Sequence, residues 1–196
     1  MVNYTFSNNE LILTRDLTEL DMFVRDFISV ISLHTEYLIV SGYVSISTGR
    51  TRGTEDVDLL FSMLSYSEFD LLFKDLNSSG FWCYQGESSK DVFDYIQEGI
   101  SVRFARKDML FPNMECIPVT PLRKAKYFEL THPLKVKIND FSFLIPPLEF
   151  EILYKELVLG SKKDLADASH LRVIFADILD DQKFKLFLPI IQGELS

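Results

Sequence analysis

With 20 basic and 29 acidic side chains among 196 residues, the chain carries a formal net charge of −9. Hydrophobic residues at 47% and charged residues at 25% exclude a disordered chain, and the length fits one domain, residues 1–196. The acidic balance excludes a broad nucleic-acid-binding surface, because backbone phosphates repel it; any phosphate chemistry must sit in a local basic pocket.

Leu17, Leu20, Val24, Phe27, Ile28 and Ile31 recur at helical spacing and predict a first amphipathic helix over residues 17–31. Tyr37-Leu38-Ile39-Val40 is a short apolar strand ended by Ser41-Gly42, a short helix is expected over 43–48, and 57–61 reads as a buried strand. Phe69, Leu72, Phe73 and Leu76 mark the next helix, which Gly80 can terminate. A strand at 81–84, a short helix at 91–97 and a strand at 100–105 follow. The segments 134–138 and 141–145 flank Asn139-Asp140, a two-residue hairpin signal. Pro146-Pro147 opens a helix through Leu159 that Gly160 stops; Ser161, with Asp164 at the capping-box position, starts another to about Leu179. A last apolar stretch, 184–191, is broken by Pro189. This order implies an α/β (α+β) fold: a mixed β-sheet flanked by helices, its core over about 17–145, with C-terminal helices over about 146–196.

Residues 1–10 have no basic segment followed by an apolar core, so no signal peptide is expected. The longest uncharged run in the first third, 37–49, is too short and too polar to span a membrane. Cys83 and Cys116 lie far apart and read as small apolar thiols of a reducing cytoplasm. His34, His132 and His170 are scattered, without metal-ligand spacing. A cytoplasmic protein without a membrane segment is the expectation.

The segment from Ser41 to Leu60 carries most of the chemical information. Asp56 and Asp58 stand two apart at the start of a strand, so both point to one face. Paired carboxylates repel each other, and a hard cation such as Mg²⁺, which takes one or two carboxylates plus phosphate oxygens, relieves this. Arg50 and Arg52, just before them, can hold a polyphosphate through their guanidinium forks. Gly42, between a strand and a helix, lets the backbone approach a phosphate. Further on, Lys155 shares a helical stripe with Leu148, Ile152 and Leu159, so it either snorkels to the rim or faces a buried anion. Asp164 and Asp167 fall on the apolar side of the next helix. Asp164 can serve as a cap, whereas Asp167 needs a partner and is the better candidate to orient Lys155 or the acceptor substrate.

The order strand, glycine, short helix, basic loop, Asp-x-Asp and buried strand resembles the nucleotidyltransferase superfamily, in particular its minimal members and the nucleotidyltransferase toxins of abortive-infection systems. Ser41-Gly42 stands in for the glycine motif, Asp56 and Asp58 for the carboxylate pair, and Arg52-Gly53-Thr54-Glu55-Asp56-Val57-Asp58-Leu59-Leu60 for the Arg-x-Thr-x-Asp-hydrophobic-Asp-Leu form. Lys155 and the run Lys163-Asp164-Leu165-Ala166-Asp167 look like the toxin branch's helical lysine and later Asp-x-x-Asp. The resemblance implies a nucleotidyltransferase-like sheet and Mg²⁺-dependent transfer of a nucleoside monophosphate from an NTP to a hydroxyl acceptor (RNA, protein or small molecule). Asp56 and Asp58 would hold the metal. Ser41, Gly42, Arg50, Arg52 and Thr54 would bind nucleotide, and Lys155 and Asp167 would assist. Family members commonly carry a third carboxylate on a later strand, and here Arg103 falls at the position expected from the strand 99–104. The alternative is therefore a catalytically inactive module that regulates or binds a partner protein or forms a homo-oligomer, with the apolar stretch 184–191 as its interface. Basic clusters at Arg103, Arg106 and Lys107, and at Arg123, Lys124 and Lys126, read as solvated loops.

Overall fold

A computed structural model describes residues 3–194. Its strands are mixed in direction, as expected, but they form two sheets. The first contains β1 (Asn3–Ser7), β2 (Glu10–Thr14), β8 (Leu134–Ile138) and β9 (Phe141–Ile145), in the order β1-β2-β8-β9. Only β2 and β8 run parallel there, with Leu11 opposite Val136. The second contains β3 (Tyr37–Val40), β4 (Asp56–Ser62), β5 (Phe81–Cys83), β6 (Val102–Arg106) and β7 (Asn113–Val119), in the order β3-β4-β7-β6-β5, with β4 and β7 parallel.

The β1–β2 hairpin lay outside the sequence expectation. Its turn is Asn8-Asn9, both with positive φ (52° and 59°), the conformation that a two-residue primed turn needs and that Asn tolerates. Strand β7 was also missed, because Glu115 and Pro118 obscure its apolar pattern. Pro118 is accommodated because β6 pairs only with Asn113–Cys116, so beyond that point one edge of β7 is open.

Helices cover the sheets. On one face of the second sheet lie α1 (Glu19–Ile31), α3 (Tyr66–Ser78) and α4 (Ser89–Gln97); Phe27 of α1 meets Phe81 edge-on at 5.1 Å between ring centroids. Capping boxes at Thr18 and Ser65 fix the starts of α1 and α3 by satisfying backbone N–H groups that lack helical partners. Helix α2 (Gly42–Ser47) follows β3 directly, and the buried Tyr43 donates to Asp21 at 2.5 Å. Asp21 also holds Arg15 at 2.6 Å, tying the start of α1 to α2. One apolar core contains residues of both sheets, among them Leu11, Val136, Leu59 and Met114.

The C-terminal part departs from expectation in three places. The helix expected over 146–159 is α6 (Leu148–Tyr154) followed by a π turn, Lys155–Leu159, closed by Gly160 at φ 63°. The next helix, α7 (Lys162–Ile174), ends before Leu179, with Phe175 as its C-cap. The last stretch is one helix, α8 (Asp181–Gln192), running through Pro189; the proline sits in the final turn, where it removes one hydrogen bond from a helix end anchored by packing. Phe187 and Ile191 of α8 are buried with Phe150 and Leu153, so the expected apolar interface is largely an internal contact. Helix α5 (Lys124–Thr131), also missed, has no side-chain cap of its own; Glu194 accepts the Ala125 N–H at 2.9 Å instead. No described helix is long and apolar enough to cross a membrane. Cys83 and Cys116 are buried free thiols. Among the described residues the histidines bond to Asp75, Phe128 and Thr48, not to a metal cluster.

Candidate active site

Asp56 and Asp58 open β4 and project to the same face, as their spacing requires. Parallel pairing places Glu115 of β7 directly beside Asp58. One carboxylate oxygen from each of Asp56, Asp58 and Glu115 lies within 4.8 Å of the others, and all three residues are partly exposed. The third carboxylate is therefore present, on β7. Arg103 is its neighbour across β6 and forms an ion pair with it, so the expectation that Arg103 replaces the third acid is corrected. Ser101 donates to the other Glu115 oxygen at 2.6 Å. Three hard oxygen donors converging on a partly open face fit Mg²⁺, which keeps room for phosphate and water oxygens.

Asp58 shows the electrostatic cost of this convergence. Burial raises its carboxyl from 3.8 to about 6; Asp56 and Glu115 add to the rise, while a Ser41 hydrogen bond and the Lys126 charge oppose it. Thr54 donates to the Asp56 backbone oxygen at 2.8 Å and approaches its carboxylate at 3.3 Å, fixing the start of β4.

The Ser41-Gly42 turn joins this acidic cluster to a basic one. Ser41, rather than Gly42, takes the strained conformation, with φ 63° and ψ −127°. Gly42 serves another purpose. A Cβ there would stand 2.6 Å from an Arg52 guanidinium nitrogen, so the missing side chain makes room for Arg52. Arg52 Nη1 meets Asp167 at 2.8 Å, Lys155 Nζ meets the same carboxylate at 3.2 Å, and Arg50 also pairs with it. Lys155 and Asp167 are both fully buried, so Lys155 faces a buried anion, while Asp164 performs the capping role open to it. Glu151, one turn back on α6, meets Lys155 at 3.2 Å.

Sequence reasoning missed two further residues. Lys126 is buried, not a solvated loop residue: its ammonium lies 2.9 Å from Glu129 and 4.0 Å from the Tyr154 ring centroid, and its charge acts on Asp58. Glu129 is wholly enclosed, and burial pushes its carboxyl up to about 7 against the pull of Lys126. The i, i+3 spacing of these two was the available signal, but it needs the helix α5 to be recognised first.

No protein-family profile and no curated protein matches the chain. Among solved structures it is similar to an antigenic nucleotidyltransferase-like protein from Paracoccidioides brasiliensis, with 16% identity, 90% of this chain and 88% of that one covered, and a TM-score of 0.55. A second, ANT(2")-Ia in complex with adenylyl-2"-tobramycin, gives 10% identity over 91% of this chain and 100% of that one, with a TM-score of 0.48.

Proposed function

We propose, from a fold that is nucleotidyltransferase-like, that the chain transfers a nucleoside monophosphate from an NTP to a hydroxyl acceptor. The observation that carries this reading is the meeting of three carboxylates with a cation cluster at one turn, Ser41-Gly42. Bound Mg²⁺ would supply charge neutralisation at the phosphates, and Asp56, Asp58 and Glu115 would hold it.

The chain's own residues do the positioning. Asp167 gathers Arg50, Arg52 and Lys155, and with Glu151 on Lys155 the cluster keeps a surplus of one positive charge for a triphosphate. Ser41 and Gly42 keep the backbone between the two clusters, and Thr54 fixes Asp56. The acceptor oxygen attacks the α-phosphorus, and the bond to the bridging oxygen breaks. Pyrophosphate leaves with the electron pair, and the hydroxyl proton passes to a carboxylate oxygen of the cluster. Catalysis of this kind is chiefly orientation and charge stabilisation.

The test is incubation with each α-labelled NTP, Mg²⁺, and pooled RNA and protein acceptors. Label transfer that falls at least about 100-fold in Asp58→Asn, with unchanged circular dichroism, is the expected outcome. One observation favours a second reading, a non-catalytic module that binds a partner: Arg103 already engages Glu115. In that case no label transfers, and Asp58→Asn leaves Mg²⁺-dependent NTP binding unchanged.

A further inference from the structure

A cavity of about 390 Å³ lies between α5, α6, α8 and the β1–β2 turn, and none of the site residues above lines it. That volume is in the range of pockets for small organic molecules. Its walls are apolar and aromatic. Phe128 and Phe187 stand edge to face with centroids 5.5 Å apart, and His132 lies flat against Phe128 at 4.1 Å.

Glu149 is the exception in this wall. It is only 3% exposed. Its Oε1 accepts the Asp180 N–H at 3.0 Å. Its Oε2 has no hydrogen-bond partner among the described residues, and Glu149 lines the cavity. Lys183 lines the same cavity without forming an ion pair among the described residues. A nearly buried carboxylate oxygen without a donor is costly, and a charged donor offsets that cost best. The aromatic and apolar side chains of the same wall suit a hydrocarbon body on that donor. A metal ion would need further oxygen ligands, and no second carboxylate lines the cavity.

We propose that this cavity binds a small organic ammonium, its N–H donated to Glu149 Oε2 and its apolar body packed against the aromatic wall that Phe128 and Phe187 form. The proposal is independent of the transferase reading.

The full chain is titrated at pH 7 with benzylammonium, benzyl alcohol and phenylacetate, and binding is read from NMR shifts of methyl groups in α8. Benzylammonium is expected to bind about tenfold or more tightly than the isosteric alcohol, as a charge-assisted hydrogen bond implies. Glu149→Gln, which can still accept the Asp180 N–H, erases that preference. Lys183→Gln strengthens ammonium binding by removing a like charge. Leu186→Trp, at the exposed edge of the cavity, blocks binding without touching the buried carboxylate. Equal binding of alcohol and ammonium, preference for phenylacetate, or no binding at about 10 mM probe overturns the proposal. So does undiminished binding in Leu186→Trp, which keeps the proposal testable if Glu149→Gln does not fold.

Discussion

Asp167 is one buried carboxylate shared by three cations, and its removal leaves a buried lysine and two arginines without their common anion. Asp167→Ala is therefore expected to cost about 3–5 kcal/mol of stability, measured by urea unfolding. Arg50→Gln is expected to cost less than about 1 kcal/mol, because the carboxylate keeps Arg52 and Lys155 and Arg50 is partly solvated. Asp58 acts in the opposite sense. Its folded carboxyl, raised by burial to about 6, holds its proton to higher pH than the unfolded group at 3.8. The metal-free protein thus gains stability from this group below pH 3.8 and loses it as pH rises towards about 6, by about 3 kcal/mol at most. Asp58→Asn should flatten that slope in chelator-treated samples, and saturating Mg²⁺ should reverse the loss in the parent, because a bound cation favours the ionised form. The Asp-x-Asp pair was legible because a spacing of two on a strand forces both groups to one side. Glu115 was not, because only the β4–β7 register makes it their neighbour.

Helix α8 separates pattern from context. Phe187 is buried against Phe128 and Phe150, whereas the adjacent Leu186 is largely exposed. Phe187→Ala is expected to destabilise by about 3–5 kcal/mol through the cavity it leaves. Leu186→Ala is expected to stay within about 0.5 kcal/mol, and thermal unfolding of the pair distinguishes them. The sequence shows an apolar stretch with a proline and cannot show that α6 is its cover. The π turn was illegible for a related reason. Lys155–Leu159 continues the helical periodicity of α6, and the wider turn shows in the bond from the Gly160 N–H to the Lys155 carbonyl at 3.0 Å. Helix α5 escaped notice because its polar residues face inward, and its start is held by Glu194 from the far end of the chain.

The two sheets share one apolar core, so they are expected to unfold together. Fluorescence of Trp82, the single tryptophan, reports β5 at the edge of the second sheet. Its urea transition should coincide with the loss of helical circular dichroism, and two separated transitions would contradict a common core. The strands β3, β4, β5 and β6 and the Asn139-Asp140 hairpin were readable from local pattern, whereas β1, β2, β7 and the division into two sheets were not, since the division depends on which distant strands pair. The parallel bond between β2 and β8 has a consequence for biosynthesis. The first hairpin is synthesised before its partner: the edge that covers Leu11 and Leu13 is translated more than a hundred residues later, on the order of ten seconds at ordinary elongation rates. Throughout that interval the nascent segment leaves two greasy side chains uncovered, which places completion of the fold after synthesis of residue 138.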